Sequence, residues 1–145
     1  YWDAKLRGSF TGLSIASTRG DFIRALLEGV AFSLLDCYGL IEEMGLPVKR
    51  IFLIGGGARS AYWRQMLADI SGLQLDYRTG GDVGPALGAA RLAQLAVHDE
   101  ADRPGLLKPL PLEQAHRPDD RRVAHYAPQR ETFRQIYQQL KPLMS

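Results

Sequence analysis

Residues 51–60 read IFLIGGGARS, and this stretch decides the fold class that we predict for the chain. The apolar run over 51–54 is typical of a strand that is buried on both faces. Three glycines follow it at once, and beyond them Tyr62, Met66 and Ile70 recur at steps of four, which indicates a helix. A strand, a glycine turn and a helix in this order predict an α/β fold in which a ligand can approach bare backbone at a helix N-terminus.

The elements on either side extend the same pattern. Apolar residues over about 21–44 recur at steps of three and four, which predicts a long helix with Thr18 or Ser17 as its N-cap. Residues 73–77 alternate between apolar and polar, as in a half-buried strand, and a third helix is predicted over about 85–97. A strand, a helix and a second strand at this spacing predict a parallel pair.

The last third of the chain has a different character. Four prolines interrupt residues 98–124, which we predict to be an irregular surface excursion, and a terminal helix is predicted over 128–141. The three histidines, His98, His116 and His125, lie in or near the excursion and lack the spacing of metal ligands. We therefore expect them to be exposed to solvent.

Composition narrows the classes of protein that the chain can belong to. Hydrophobic residues make up 46% of its 145 residues, and 18 basic against 16 acidic residues leave a net charge of +2. This balance does not favour nucleic-acid binding, and no stretch has the roughly 20 apolar residues of a membrane helix. Cys37 is the only cysteine, so an internal disulfide is excluded and we expect a reducing, cytoplasmic setting.

The N-terminal residues carry no leader pattern. The chain begins with Tyr1, and no charged segment followed by an apolar one appears near it. We expect no signal peptide, and we expect the chain to be part of a longer protein.

Three nucleotide-binding interpretations compete for the glycine turn. A P-loop would need GxxxxGK[ST], which the chain lacks, and in the dinucleotide-binding pattern GxGxxG the third glycine is replaced by Ser60. The third interpretation is the actin-like ATPase fold, in which such a turn meets the adenosine. A tight turn without a ligand stays open too, because isolated glycine motifs are weak indicators. The second turn, over 79–84, is a weaker candidate, and Gly88 is expected to permit close helix packing.

Three blocks of sequence resemble the FGGY family of carbohydrate kinases, and their combined spacing is more specific than any glycine motif. They are Gly8-x-Phe10-x-Gly12-Leu13 followed after seven residues by Asp21-Phe22-x-x-Ala25-Leu26-Leu27-Glu28; Gly55-Gly56-Gly57-Ala58-Arg59-Ser60 followed by Gln65 and Ala68-Asp69; and Gly84-Pro85-Ala86-x-Gly88-Ala89-Ala90. Residues 77–94 and the ending RETFRQIYQQLKPLM are most similar to the bacterial members that phosphorylate D-xylulose.

The resemblance implies an α/β domain of the actin-like ATPase (ribonuclease H-like) fold, the C-terminal portion of a two-domain sugar kinase. It implies ATP and Mg²⁺ in a cleft between the domains, with the Mg²⁺ ligands mostly outside this chain. By resemblance, Gly55, Gly56, Gly57 and Ala58 would line the adenosine, and Ser60 would face the adenine. The catalytic base and the sugar-binding residues would lie upstream, so we expect no catalytic or metal-binding residue here.

The implied reaction transfers the γ-phosphoryl group of ATP to D-xylulose and gives D-xylulose 5-phosphate. The alternative is a non-catalytic nucleotide-binding or interaction module of the actin-like fold. Alone, the chain is expected to bind ATP weakly and to transfer no phosphoryl group, because the sugar would bind through the missing N-terminal domain. The oligomeric state stays open, with a homodimer as one candidate.

Several conspicuous side chains have simpler explanations than catalysis. We expect Asp69, Asp76 and Asp82 to serve surface solvation or helix capping, with Asp69 supporting the helix after the glycine turn. Tyr62 and Trp63 are expected to pack in the core rather than to stack on adenine.

Overall fold

The computed structural model describes residues 7–81 and 84–144. Its regular elements, in chain order, are α1 (Arg19–Glu43), β1 (Ile51–Leu53), a 3₁₀ turn (Gly56–Arg59), α2 (Ala61–Ser71), β2 (Leu75–Arg78), α3 (Gly84–Val97), a second 3₁₀ turn (Glu100–Asp102), α4 (Arg103–Leu106), β3 (Leu112–His116) and α5 (Asp120–Met144). Within these described ranges, no helix is long and apolar enough to cross a membrane.

The three strands form one sheet in the order β1, β2, β3. The first two are parallel, with Ile51 opposite Leu75, which confirms the predicted parallel pair. The third strand is antiparallel to β2, with Leu75 opposite His116. Because β2 is the central strand, the residues that follow β1 and those that end β3 lie on either side of it.

The core lies where α1, α2 and α5 pack together. Its buried members come from all three helices and are Ala31, Phe32, Leu35, Met66, Ile70 and Tyr126. The ring of Phe32 lies between two other aromatic rings, with centroids 6.3 Å from Tyr126 and 5.6 Å from Phe133. The α2 helix, which follows the glycine turn, is thereby held against two long helices.

The N-terminus of α1 is defined by a capping box. The Thr18 side chain accepts a hydrogen bond from the backbone N–H of Asp21, and the Asp21 carboxylate accepts one from the backbone N–H of Thr18 at 2.8 Å. This backbone bond, and next the Thr18 hydroxyl, which donates to the same carboxylate at 2.8 Å, lower the pKa of Asp21. Of the two predicted caps, the structure therefore selects Thr18.

The interior of the domain is incomplete on one side of β1. The strand was predicted to be buried on both faces, but Phe52 is 46% exposed and the following Ile54 is 60% exposed. This prediction is wrong for the described chain, because the side of the strand that carries Phe52 is left partly open. In addition, no described strand pairs with the outer edge of β1, and no residue of α3 is buried. The outward side of α1 also exposes apolar residues, among them Ile23, Leu26, Val30 and Leu34.

The prediction that residues 98–124 form an irregular excursion is wrong. This segment contains β3, whose strand character comes from its pairing with β2 and is not visible in its own mixed sequence. The terminal helix begins at Asp120 rather than at 128, because the Asp119 carboxylate accepts hydrogen bonds from the backbone N–H groups of Arg121 and Arg122. Pro128 then lies inside the helix instead of starting it.

Candidate functional site

The glycine turn connects the end of β1 to the start of α2. Gly55 has φ +91°, a value that a residue with a Cβ rarely adopts. Its N–H donates to the Gly81 carbonyl at 2.9 Å, and its own carbonyl accepts from the Ala58 N–H at 3.0 Å. The chain then forms one 3₁₀ turn over Gly56–Arg59 before α2 begins. Gly55 is therefore the residue at which the backbone changes direction.

The outer surface of this turn is bare backbone. Gly56 and Gly57 are exposed, and a Cβ added at Gly55 or Gly56 would meet no atom within 4 Å. The first N–H groups of a 3₁₀ turn precede its first internal hydrogen bond, so the turn itself offers Gly56 and Gly57 no acceptor. Exposed glycine backbone whose first amides are not bonded within the turn fits the sugar and phosphate end of a nucleotide.

Ala58 and Ser60 occupy different environments. Ala58 is 5% exposed, so its methyl group lies beneath the turn rather than on the ligand side. Ser60 is exposed and is the N-cap of α2, where its hydroxyl oxygen accepts from the Trp63 N–H at 3.2 Å. The hydroxyl hydrogen of Ser60 is not used by this cap and can be donated to a ligand.

The structure brings the second glycine turn against the first. Gly81 supplies the carbonyl that Gly55 binds, and a Cβ at Gly81 would lie 3.1 Å from the Leu53 carbonyl oxygen. A Cβ at Gly84 would lie 3.1 Å from Ile54. The lack of a Cβ thus allows the two turns to approach this closely, a role that the sequence did not reveal. At Gly88 a Cβ would meet nothing within 4 Å, so the expected close helix packing is wrong for the described residues.

A buried polar network supports the turn from below, and its centre is Arg64, which is 5% exposed. One terminal nitrogen, Nη1, donates to the carbonyls of Ala58 at 2.6 Å and Arg59 at 3.3 Å. Nε donates to His116 Nε2 at 2.8 Å, and the other terminal nitrogen donates to Gln114 Oε1 at 2.9 Å. Arg64 therefore links the glycine turn to strand β3.

The hydrogen bonds of His116 define its tautomer. Since Nε2 accepts from Arg64, the proton of the neutral ring lies on Nδ1, which donates to Gln65 Oε1 at 3.2 Å. His116 is 2% exposed, which corrects the expectation that it faces solvent. Burial, and next the charge of Arg64, lower its pKa, while Asp69 raises it. The ring is accordingly held neutral.

We predict that this histidine makes the fold sensitive to acid. Because its folded-state pKa is below the ordinary 6.5, the unfolded chain takes up the proton first as the pH falls. The contribution of His116 to stability is complete above about pH 6.5 and is lost as the pH falls from there towards the lowered pKa. Urea midpoints measured from pH 7.5 to 5.0 should fall more steeply in the parent protein than in His116→Gln. The exposed His125→Gln is the matched control, and an equal flattening by both replacements would contradict the assignment.

Asp69 ends the network on the far side. It is 1% exposed and accepts from Gln65 Nε2 at 2.9 Å, from the Asp119 N–H at 3.0 Å and from Arg122 Nη1 at 3.0 Å. Asp69 was expected to support α2, and these bonds show that it also holds the start of α5. Of the two expected roles, solvation at the surface is wrong for Asp69, and also for Asp76, which is 8% exposed. Asp82 lies outside the described residues.

The aromatic residues after the turn divide between surface and core. Tyr62 is 60% exposed, so its predicted core role is wrong, since the first turn of α2 points this side chain away from α1 and α5. Trp63 packs against the core cluster, as expected, and its Nε1 would lie 3.4 Å from a Cβ at Gly57. Trp63 thereby limits the size of the residue at position 57.

The described residues contain no group of three or more His, Cys, Asp or Glu side chains that could hold a metal ion. The turn offers backbone amides and a hydroxyl instead, which are hydrogen-bond donors suited to an anionic or polar ligand.

Comparison with known proteins gives a consistent set of relatives. The model of the FGGY family of carbohydrate kinases, C-terminal domain, matches residues 1–97. Xylulose kinases of Klebsiella pneumoniae and Escherichia coli strain K12 are 68% and 58% identical over 139 residues, 96% of this chain. The crystal structure of a xyloylose kinase from Brucella ovis superposes with a TM-score of 0.83 at 30% identity, covering 97% of this chain and 30% of that one. The chain spans 29% of the length of the two curated relatives.

Proposed function

Because the chain belongs to the FGGY family of carbohydrate kinases, we propose that it is the C-terminal part of a longer sugar kinase, called the complete protein below. The fold is the actin-like ATPase fold of those kinases. We propose D-xylulose as the substrate, ATP as the phosphoryl donor and D-xylulose 5-phosphate as the product. The relatives named xylulose kinase, with identities up to 68%, support this choice of sugar.

The open glycine turn is the observation that carries the proposal. Its exposed amides at Gly56 and Gly57 and the free hydroxyl hydrogen of Ser60 can donate to the adenosine part of ATP. Ala58 would take part through its backbone, since its side chain is buried. ATP with its Mg²⁺, when bound, supplies the phosphoryl group and neutralises its charge. The role of this chain is to bind and orient the nucleotide.

The remaining parts of the reaction belong to the rest of the complete protein. We propose that the catalytic base, the sugar site and most Mg²⁺ ligands lie there. The exposed apolar side of α1 and the unpaired described edge of β1 support a further layer of protein against them, because such surfaces are rarely left uncovered. Nucleic acid and membranes have no part in the proposal, and the lone Cys37 favours the cytoplasm.

We expect the complete protein to release ADP from ATP in a manner that depends on D-xylulose, and Gly56→Leu to weaken its ATP site. A Cβ at position 56 meets no protein atom within 4 Å, so the fold should tolerate a side chain there while the nucleotide space is filled. The KM for ATP should rise about tenfold or more, which corresponds to about 1.4 kcal/mol of lost binding free energy. The KM for D-xylulose should stay within about twofold. Coupled ADP assays measure both constants.

Gly105→Ala is the matched control, because Gly105 lies in α4 and also has open space around its Cβ position. It should leave both constants unchanged. Nucleotide binding by the complete protein without any sugar-dependent ADP release would favour the non-catalytic module instead. An unchanged KM for ATP in Gly56→Leu would remove the nucleotide from this turn.

A further inference from the structure

The buried guanidinium of Arg64 has an unusual set of partners. Within the described part of the chain it forms no ion pair, and all its hydrogen-bond acceptors are neutral: the carbonyls of Ala58 and Arg59, the ring of His116 and the amide of Gln114. Its cationic centre also lies 4.1 Å from the ring centroid of Tyr77. Burying a charge without an opposite charge is costly, so a purely stabilising contact would be served as well by an apolar side chain.

The shape of the guanidinium explains its use at this position. A planar fork with five N–H donors can bind two successive carbonyls, a ring nitrogen and an amide oxygen at once, which the single ammonium of lysine cannot do. The peptide unit is planar, so a fixed Ala58 carbonyl also fixes the direction of the Arg59 N–H. Arg64 therefore sets the orientation of the peptide planes at the end of the glycine turn.

The orientation of the Arg64 guanidinium is itself fixed by a second set of hydrogen bonds, which begins at His116. His116 accepts a hydrogen bond from Arg64, and its own N–H donates to the side-chain oxygen of Gln65. The amide nitrogen of Gln65 in turn donates to Asp69 at 2.9 Å and to the Arg117 carbonyl at 2.8 Å. Every donor in this series meets an acceptor, so the network has one consistent proton arrangement. The turn is thus connected to β3 and to the start of α5 through side chains alone.

We propose that Arg64, oriented by His116, is a positioning residue that sets the nucleotide-facing surface of the glycine turn. The inference rests on the proposed function. Arg64 itself is buried beneath the turn and acts through the backbone of Ala58 and Arg59. Loss of the fork releases the peptide planes after Ala58 and Arg59. The second of these planes carries the Ser60 N–H, which donates to the Gly57 carbonyl at 3.2 Å, so the Ser60 hydroxyl and the adjoining glycine backbone then lose their fixed directions towards a bound nucleotide.

The test is the Arg64→Lys variant of the complete protein, which keeps the charge and loses the fork. We expect the KM for ATP and the Kd of ADP to rise about tenfold or more, since bound geometry is sensitive to shifts of about 1 Å. The kcat at saturating ATP and the KM for D-xylulose should stay within about twofold. Hydrogen exchange of the amides over 56–60 should be faster in the variant without nucleotide, and saturating ADP should slow it again.

Arg130→Lys is the matched control. Arg130 also donates to a backbone carbonyl, that of Leu35, and to the Asp36 carboxylate, but it lies between α1 and α5 away from the turn. If both lysine variants raised the KM for ATP equally, general loosening would explain the effect and the proposal would fail. It would also fail if Arg64→Lys bound nucleotide normally.

Two further outcomes separate this inference from the proposed function. Should Arg64→Lys not fold, His116→Gln takes its place, because the glutamine oxygen can accept from Arg64 but its flexible side chain does not hold the guanidinium in one direction as the imidazole ring does. The same selective rise in the KM for ATP is expected, and its absence overturns the proposal. A parent protein that releases no ADP with D-xylulose overturns the proposed function, whereas an active parent with an unaffected Arg64→Lys overturns only the positioning role.

Discussion

Replacing Phe32 by alanine is expected to lower the free energy of unfolding by about 3–5 kcal/mol. Phe32 is 5% exposed and is the residue on which α1 meets both α5 and α2. Its removal takes away the ring contacts with Tyr126 and Phe133 and leaves a cavity that three helices must close together. Because long helices relax only partly, the cost should lie near the upper end of this range.

Urea denaturation of the complete protein, followed by near-UV circular dichroism, measures this loss. Glu42→Ala on the same helix is the control, since Glu42 is exposed and its replacement should change stability by about 0.5 kcal/mol or less. A loss below about 1.5 kcal/mol for Phe32→Ala would mean that the cluster on α1 is not the main core.

The second large effect is expected from Asp69→Ala. The part-buried N–H of Asp119 would lose its acceptor, and Gln65 Nε2 would keep only the Arg117 carbonyl, at about 1–2 kcal/mol each. The ion pair with Arg122 adds little, because the Arg122 side chain is 63% exposed and can be solvated by water. The total loss should be about 3 kcal/mol, and the start of α5 should loosen first.

Hydrogen exchange distinguishes this result from a general loss of stability. The amides at the beginning of α5 should exchange faster in Asp69→Ala than those of α1. Asp99→Ala provides the control, since Asp99 is exposed and makes no capping bond through its side chain. Equal acceleration across both helices would contradict the role of Asp69 as the acceptor that holds α5.

The local signals in the sequence predicted most of the helices and the turn. The Thr18 cap, the Ser60 cap and the end of α2 at Gly72 are all local arrangements, each made by residues within four positions of one another. The strand before the glycines was recognised from its apolar run, but its burial was overestimated. A run of apolar residues indicates how deeply a strand is buried in the complete domain, whereas the described chain leaves one side of β1 open.

The site was predicted less completely than the turn that forms it. The residues with exposed backbone were identified, but the supporting residues Arg64 and His116 were not, and the prolines around β3 suggested an irregular surface. Neither an arginine in a helix nor a histidine in a proline-rich segment has neighbours in the sequence that indicate burial. Arg64 and His116 are 52 residues apart in the chain, so only the pairing of β2 with β3 brings them together.

What the sequence alone determined is therefore the chemistry of short range: a bend that needs Gly55, caps that need a hydroxyl, and helical stripes that need a core. These depend on the torsion angles and hydrogen bonds of neighbouring residues, which the order of amino acids specifies directly. Only the tertiary structure decided that a neutral histidine and an arginine with no ion pair among the described residues lie beneath the turn. Burial and the resulting pKa shift of His116 come from elements that meet in space, and no local pattern encodes them.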